Sequence, residues 1–557
     1  MTAQMPPSAA AGVTGDRSRS AQLARASFRT GLGTVVSRFT GLARLIILAY
    51  ALGGKGTADV FNLANNTPNM LHDLVLGGVL AATFVPVFVE RLSKHPEREA
   101  VESISAVVTL SGVVLLAATA LFVAAAPLLI TLFTFNKATP AEHNVAVELL
   151  RLFAPQLFFY GAISLMAAVL ATRDRFSAVG FAPVLNNVIG IVTLAIFAAV
   201  ARHDSVSYVE HNQGLIYVLG IGTTVGVAVQ AIALIPSMRR AGLRLRFVWR
   251  PHDPAIQTIF RLSGWTFGFV LANQLALFIV LALEFHVGQG AVSAYTYAFT
   301  FFQFPFAVVA TSIINVASPD FTRLATRGAW RELGNRFGMT TRSVLALILP
   351  AMVGYLILAR QAVTLLIQHG NESAAPAHLT ASVLAVFALG LPGFCVFFLA
   401  TRTFQAIQDT RTAFVLYALE NGLNILAAFL LYRPLGVRGL ALAYSIAYTI
   451  AAVVALAVLR ERLGTVGGRT LINSTIRFSV LCLLMAFVVA FVSAVVGSRT
   501  GLIGWLGLLV SVGAGAAVYI AGAGVAARVE GWQTSRRRAH VGFRDAKGER
   551  GIGSHHH

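Results

Sequence analysis

The chain reads as an all-α polytopic membrane protein: about 14 transmembrane helices in two parallel six-helix lobes, followed by two C-terminal helices. Three observations predict this class. Of 557 residues, 56% are hydrophobic and only 12% charged, with a mean hydropathy of +0.73, far from the balance of a soluble domain. Apolar runs able to cross a ~30 Å hydrocarbon layer centre near residues 44, 74, 117, 159, 190, 225, 271, 305, 355, 391, 421, 448, 484 and 514. The segments between them alternate between rich and poor in Lys and Arg.

Residues 1–29 are rich in Ala, Ser, Pro and Gly and contain no apolar core, which predicts a disordered cytoplasmic arm and not a cleavable signal peptide. The N-terminal lobe, 30–238, opens with two helices joined by Gly53-Gly54-Lys55-Gly56-Thr57. The first carries Arg38 and Arg44. With a start near Thr34, Arg44 lies roughly 15 Å along the helix, near the middle of the layer, where a charge costs about 2.5–3.5 kcal/mol and marks a functional site by default. The second carries Asp59, Asn62, Asn65, Asn66, Asn69, His72 and Asp73 at spacings of three and four. That is one polar stripe on a 3.6-residue period, suited to a water-filled cavity or a helix interface. Pro68 within it is expected to bend the helix.

Basic residues cluster before the first helix, then at Arg91/Lys94/Arg98, Arg173/Arg175, Arg239 to Arg250, Arg323 to Arg336, Arg402/Arg411, Arg460/Arg462/Arg469 and Arg536 to Arg538. The intervening connections, such as GGKGT, HVGQG and QHGNESAAPAH, are poorer in them. By the positive-inside rule both termini are then cytoplasmic. The formal charge of +20 belongs to this topology and to anionic headgroups, and no nucleic-acid partner is needed to explain it.

Residues 239–254 form a basic inter-lobe linker, either an amphipathic element on the headgroups or a solvated loop. The C-terminal lobe, 255–462, repeats the first at an offset of about 235 residues, an even number of helices on, which makes the repeats parallel. TRDRFSAVGFAPVLNN answers IQDTRTAFVLYALENG, with Asp174 opposite Asp409 and Asn186 opposite Asn421. Residues 463–528 add two helices, and 529–557 form a cytoplasmic tail ending in a tag remnant. In the second lobe, Glu420, Asn421 and Asn424 crowd one helix and Asn273 another. A carboxylate with amide oxygens suits a sodium ion, and equally suits hydrogen bonding between helices. Cys395 and Cys482 lie in apolar runs with no metal-ligand spacing.

No phosphate-binding Gly-rich loop, nucleophile elbow or metalloprotease motif occurs in the sequence. Transport is therefore expected to draw on an ion gradient, the membrane potential or downhill flux, with no bond made or broken. Six stretches carry a resemblance: SRFTGLAR (Ser37 to Arg44), TAD (Thr57 to Asp59), TPNML (Thr67 to Leu71), ATFVPVFVE (Ala82 to Glu90), YAFTFFQFP (Tyr297 to Pro305) and RTFQAIQDTRT (Arg402 to Thr412). Together, over roughly residues 30–460, they resemble the MurJ (MviN) family of lipid II flippases.

The resemblance implies a V-shaped pair of lobes around a cationic cavity for a pyrophosphate-linked sugar head, and a groove at the last two helices for the polyprenyl tail. Arg38, Arg44 and Asp59 match family motif positions. Two family arginines do not carry over: the residue after TPNML is His72, and the one in YAFTFFQFP is Thr300, followed one turn later by Gln303. A histidine beside a diphosphate can hold its proton and substitute in part. The candidate substrate-binding residues are thus Arg38, Arg44, Asp59, Asn62, Asn66, Asn69, His72, Thr300 and Gln303, and the candidate sodium ligands are Glu420, Asn421, Asn424 and Asn273. Arg44 either meets phosphate, which its planar fork suits, or pairs with Asp59 or Asp73. Asp59 either clamps the lobes or pairs with Lys55. The function implied is flipping of lipid II from the cytoplasmic to the outer leaflet of a bacterial inner membrane by alternating access. The expected partners are lipid II, membrane lipids and cell-wall synthesis proteins, around a monomer with no cofactor beyond sodium. The rivals are a cation-coupled drug or polysaccharide-lipid exporter of the same superfamily and a non-transporting scaffold.

Overall fold

The computed structural model describes residues 31–74, 84–173, 177–242, 245–496 and 501–550, of which 262–266, 269, 496 and 526–550 are described by backbone alone. The first half comprises α1 (Gly31–Leu52), α2 (Thr57–His72), α3 (Val85–Lys94), α4 (Glu97–Thr134), α5 (Pro140–Phe153), α6 (Pro155–Ala171), α7 (Ser177–Val200), α8 (Val206–His211), α9 (Gln213–Ile232) and α10 (Ile235–Arg240). The second half comprises α11 (Pro254–Val287), α12 (Ala291–Pro305), α13 (Thr311–Thr326), α14 (Trp330–Ile367), α15 (Ala374–Ala406), α16 (Thr410–Leu435) and α17 (Val437–Leu463). Helices α18 (Gly468–Val496) and α19 (Gly501–Arg550) complete the chain.

Among the described residues, 13 helical segments are long and apolar enough to cross a membrane, and each contains one of the centres expected from sequence. The remaining centre, near residue 74, sits where α2 ends, and residues 75–83 lie outside the described residues. The span Pro140–Ala171 is two helices broken at Ala154–Pro155, because Pro155 offers no amide hydrogen to the preceding turn. Pro68 is buried inside α2 without ending it. Backbone helix continues through residue 529 to Arg550, in a stretch that contains no proline and many good helix formers.

Packing is strongest within each half. Helix α7 lies on α9, α2 on α5 and α4 on α6; later in the chain α15 and α16 pack on α17, and α14 and α12 on α15. The pair α18–α19 leans on α14. An aromatic cluster ties α12, α15 and α17 together: Phe302 is fully buried with its ring 5.3 Å from Phe387, 5.5 Å from Phe394 and 5.8 Å from Tyr444. The halves meet where α2 touches α11 and α12, and where α4 runs beside α11. Ser103 on α4 donates to Asp253 (3.1 Å), which also caps α11 by accepting from the Ala255 amide (2.8 Å).

The repeat positions do different work. Asp174 lies outside the described residues. Asp409 caps α16 through the Thr412 amide (3.1 Å) and hydroxyl (2.8 Å). Asn186 presses on α9, where a Cβ added at Gly226 would meet its Oδ1 at 2.7 Å. In the linker, residues 245–250 form neither helix nor strand; the Arg246 and Val248 amides donate to Ser105 and Thr109 of α4, while Phe247 and Trp249 are exposed.

Candidate functional site

The turn between α1 and α2 lies at one end of the bundle, the Leu52 face, and the start of α1 lies toward the other, the Gly31 face. At the Leu52 face the two halves are stitched together by polar bonds. Asp59 of α2 is buried and points at the first turn of α12. Its Oδ2 accepts from the Gly290 amide (2.5 Å), and its Oδ1 accepts from the Ser293 amide (2.9 Å) and hydroxyl (2.7 Å). This is helix capping supplied from another helix: free N–H groups at a helix start attract a carboxylate. Asn62, one turn below, donates to the Ser293 hydroxyl at 3.3 Å. The clamp alternative is therefore the one realised, and Asp59 makes no ion pair with the exposed Lys55.

Further bonds close the same face. The Tyr297 hydroxyl donates to the Gly53 carbonyl (2.9 Å), and the Asn371 backbone and side chain donate to the carbonyls of Tyr50 (3.0 Å) and Ala51 (2.8 Å). Lys137 and His286 meet at 3.1 Å across the halves. The fit is tight enough to require glycine. A Cβ at Gly54 would come within 2.5 Å of both Glu372 carboxylate oxygens, and Gly290 sits at φ 85° over the Gly54 carbonyl. Glu372, in the loop before α15, is only 3% exposed, and neither of its oxygens has a partner among the described residues. Burial first, and then the Asp59 carboxylate, push its carboxyl up to about 8.

Below this seal lies a cavity of about 490 Å³ between the halves. Asn66, Asn69 and Asp73 of α2 line it, facing Thr300 and Gln303 of α12 and Asn273, Gln274 and Glu284 of α11. Glu420, Asn421 and Asn424 of α16 form the far wall with Tyr444 and Tyr448 of α17. The cavity thus gathers four of the nine candidate substrate residues and all four candidate sodium ligands. Toward the Gly31 face, Phe39 of α1 and Phe304 of α12 touch edge to face at 5.2 Å.

The other candidates lie elsewhere. Asp59 and Asn62 belong to the seal. Arg38 is exposed near the start of α1. Arg44 is tucked into the first half, so close to α7 that a Cβ at Gly190 would stand 2.6 Å from its Nε. It makes no ion pair with Asp59 or Asp73; its electrostatic neighbour is Tyr160 of α6, which also contacts the Asn69 amide. His72 is likewise turned into the first half, with Nε2 on the Ser164 hydroxyl (3.1 Å) and Nδ1 on Asp73 (3.1 Å).

The donor set of the far wall fits a hard cation. Glu420 is 2% exposed, and Asn424 Oδ1 is a buried acceptor without a partner. Sequence reasoning missed Glu284 and Glu372. Glu284 had a signal, a lone carboxylate in the apolar run LALFIVLALEFHV. Glu372 had none, because it looks like any loop residue until the fold carries it to Gly54.

A family model described as "Lipid II flippase MurJ" matches residues 48–508. A curated relative, "Probable lipid II flippase MurJ" of Rhizobium meliloti (strain 1021), is 27% identical over 77% of this chain and 79% of its own length. Among solved structures, "Lipid II flippase MurJ, inward closed conformation" superposes with a TM-score of 0.74 at 21% identity, covering 90% of this chain and 98% of that one. An inward-facing multidrug resistance MATE family transporter of the MOP superfamily superposes with a TM-score of 0.59 at 16% identity, covering 79% and 96%.

Proposed function

This chain belongs to the lipid II flippase MurJ family, and from that premise we propose that it carries lipid II across a bacterial inner membrane, from the cytoplasmic to the outer leaflet, by alternating access. One observation carries the mechanism: a polar cavity lies between the two halves of the chain and is closed at the Leu52 face by the Asp59–Ser293–Gly290 clamp. In this reading the Leu52 face is the outer one and both termini are cytoplasmic, as the loop charges suggest.

The headgroup enters from the Gly31 face, where parting Phe39 from Phe304 opens the way. Arg38 meets the incoming diphosphate there. Asn66, Asn69, Thr300 and Gln303 supply amide and hydroxyl partners for the sugar and peptide, and the polyprenyl tail stays in lipid along α18 and α19. Arg44, behind Tyr160 and Asn69, and His72, beside Asp73, set the potential of the first wall. Opening then passes to the other face as the Asp59 clamp breaks and the cavity closes below. The protein moves its substrate and makes no bond; it works as a monomer beside cell-wall synthesis proteins.

Sodium at Glu420, Asn421, Asn424 and Asn273 is the coupling ion in this reading, favoured by the unpartnered Asn424 oxygen. Replacing sodium by potassium should then lower the thermal stability of the purified protein; equal stability in both would remove sodium from the mechanism. The reading as a whole is tested by depleting the protein and assaying lipid II in each leaflet. Accumulation in the cytoplasmic leaflet is expected, and a normal outer-leaflet pool would overturn it.

A further inference from the structure

Three carboxylates, Asp73, Glu284 and Glu420, line the cavity, and no lysine or arginine among the described residues does. That is an unexpected setting for a lipid-linked diphosphate, since no fixed positive charge in this lining balances it. Arg44 does not line the cavity, because its side chain is packed against Gly190 of α7. His72 does not either, as both ring nitrogens are engaged inside the first half.

A second observation points to the kind of ligand missing. Gln274 Oε1 and Asn424 Oδ1 are buried acceptor oxygens with no partner among the described residues, and both residues, each 6% exposed, line this cavity. Unpartnered buried acceptors call for a cation or a hydrogen-bond donor and disfavour a bare anion. Asp73 is available to such a cation: its side chain is 54% exposed, and among the described residues its one ion-pair partner is His72. Among the described residues, no group of three His, Cys, Asp or Glu forms a ready-made metal cage. Magnesium needs none, because it binds through one or two carboxylates together with the phosphates of a substrate and keeps several waters.

We propose that the diphosphate enters the cavity as its magnesium complex, with Asp73 and the Gln274 carbonyl oxygen as the protein's ligands to the metal. This rests on the flippase reading above and deepens it. The metal is part of the cargo: it arrives and leaves with the diphosphate, and it takes the charge-balancing place that arginines would fill. Glu420 and Asn424 on the far wall remain free for sodium.

The test uses the full-length chain in lipid nanodiscs and farnesyl diphosphate as the probe, with binding measured in magnesium and in EDTA at constant sodium and ionic strength. Magnesium should tighten binding roughly tenfold or more, the step that one retained charge-assisted contact supplies. Asp73→Asn and Gln274→Leu should each remove most of that gain while leaving the weaker EDTA binding in place; the wild-type comparison stands even if a variant folds poorly. Equal affinity in the two buffers would overturn the inference and leave the flippase reading intact, as would an undiminished magnesium effect in folded Asp73→Asn. Thermal stabilisation by magnesium alone would make the metal resident and also overturn it. Failure of the probe to bind in either buffer would count against both readings.

Discussion

Asp59 shows how much one side chain carries here. It spends both carboxylate oxygens on backbone and hydroxyl donors across the seam, so its charge is balanced by amide dipoles instead of a counter-ion. The seal can then break without leaving a stranded cation. Glu372 sits in the same seam with no donors at all, and its behaviour follows from the sign of its shift. Closed, its carboxyl titrates at about 8; opened to water it returns toward 4.5. The closed state therefore holds the extra proton. Its advantage is full below the solvated value and is lost as pH rises toward the closed-state value. A cysteine at Asn66, labelled from the Leu52 face and with its rate divided by the thiolate fraction at each pH, should react faster as the bath moves from about pH 6 to about pH 9. Glu372→Gln should flatten that dependence. A flat profile in the wild-type background would show that Glu372 does not govern the seal. Arg44 gives a second residue-scale expectation. Gly190→Ala places a methyl 2.6 Å from its Nε, and the flexible side chain must swing away. The cost to stability should be near the ~1 kcal/mol lower end of overpacking. Complementation of a depleted strain should nevertheless fail at normal protein levels. Normal growth would mean that the position of Arg44 is unimportant.

Among the elements, those with local causes were legible. Apolar runs place the membrane-crossing helices because hydrocarbon thickness fixes their length, and the 3.6-residue stripe of α2 places Asn66, Asn69 and Asp73 on one wall. Partnerships separated by more than 200 residues were not legible. Nothing near Asp59 names Ser293, and nothing near Glu372 names Gly54, because periodicity reports only which face is polar. Nor did the sequence announce the break in the α12–α13 helix. There Phe306–Ala310 forms a π-helical turn just after Pro305, between the sealed end of α12 and the rest of the helix. The aromatic cluster fixes α12 to α15 and α17, and Phe306 at the start of the turn extends it, with its ring 4.6 Å from Phe394 and 4.9 Å from Phe398. Phe302 is the centre of that cluster. Phe302→Ala should cost about 3–5 kcal/mol, seen as a lowered unfolding temperature in nanodiscs. A change within measurement error would show that the cluster does not hold α12 in place.

At the scale of the whole molecule, the two mouths of the cavity are closed by different kinds of contact. The Leu52 face is closed by hydrogen bonds from several loops, with Glu372 buried among them, whereas Phe39 and Phe304 oppose each other by apolar contact toward the Gly31 face. A polar seal is strong when dry and weakens once water enters; an apolar contact parts without leaving unpaired groups. This favours a resting state that admits substrate from the Gly31 face and opens the Leu52 face only when the cavity is filled. Alternating access then requires the Asp59 region to separate in every cycle. Asn62 and Ser293 face each other across it at hydrogen-bond distance, so Asn62→Cys with Ser293→Cys should form a disulfide under oxidation on the outer side. The cross-linked protein should lose lipid II transport completely and recover it on reduction, with each single cysteine variant unaffected by oxidant. If transport continued with the bridge quantitatively formed, the Leu52 face would not be the exit, and the rocking of one half against the other would have to be abandoned.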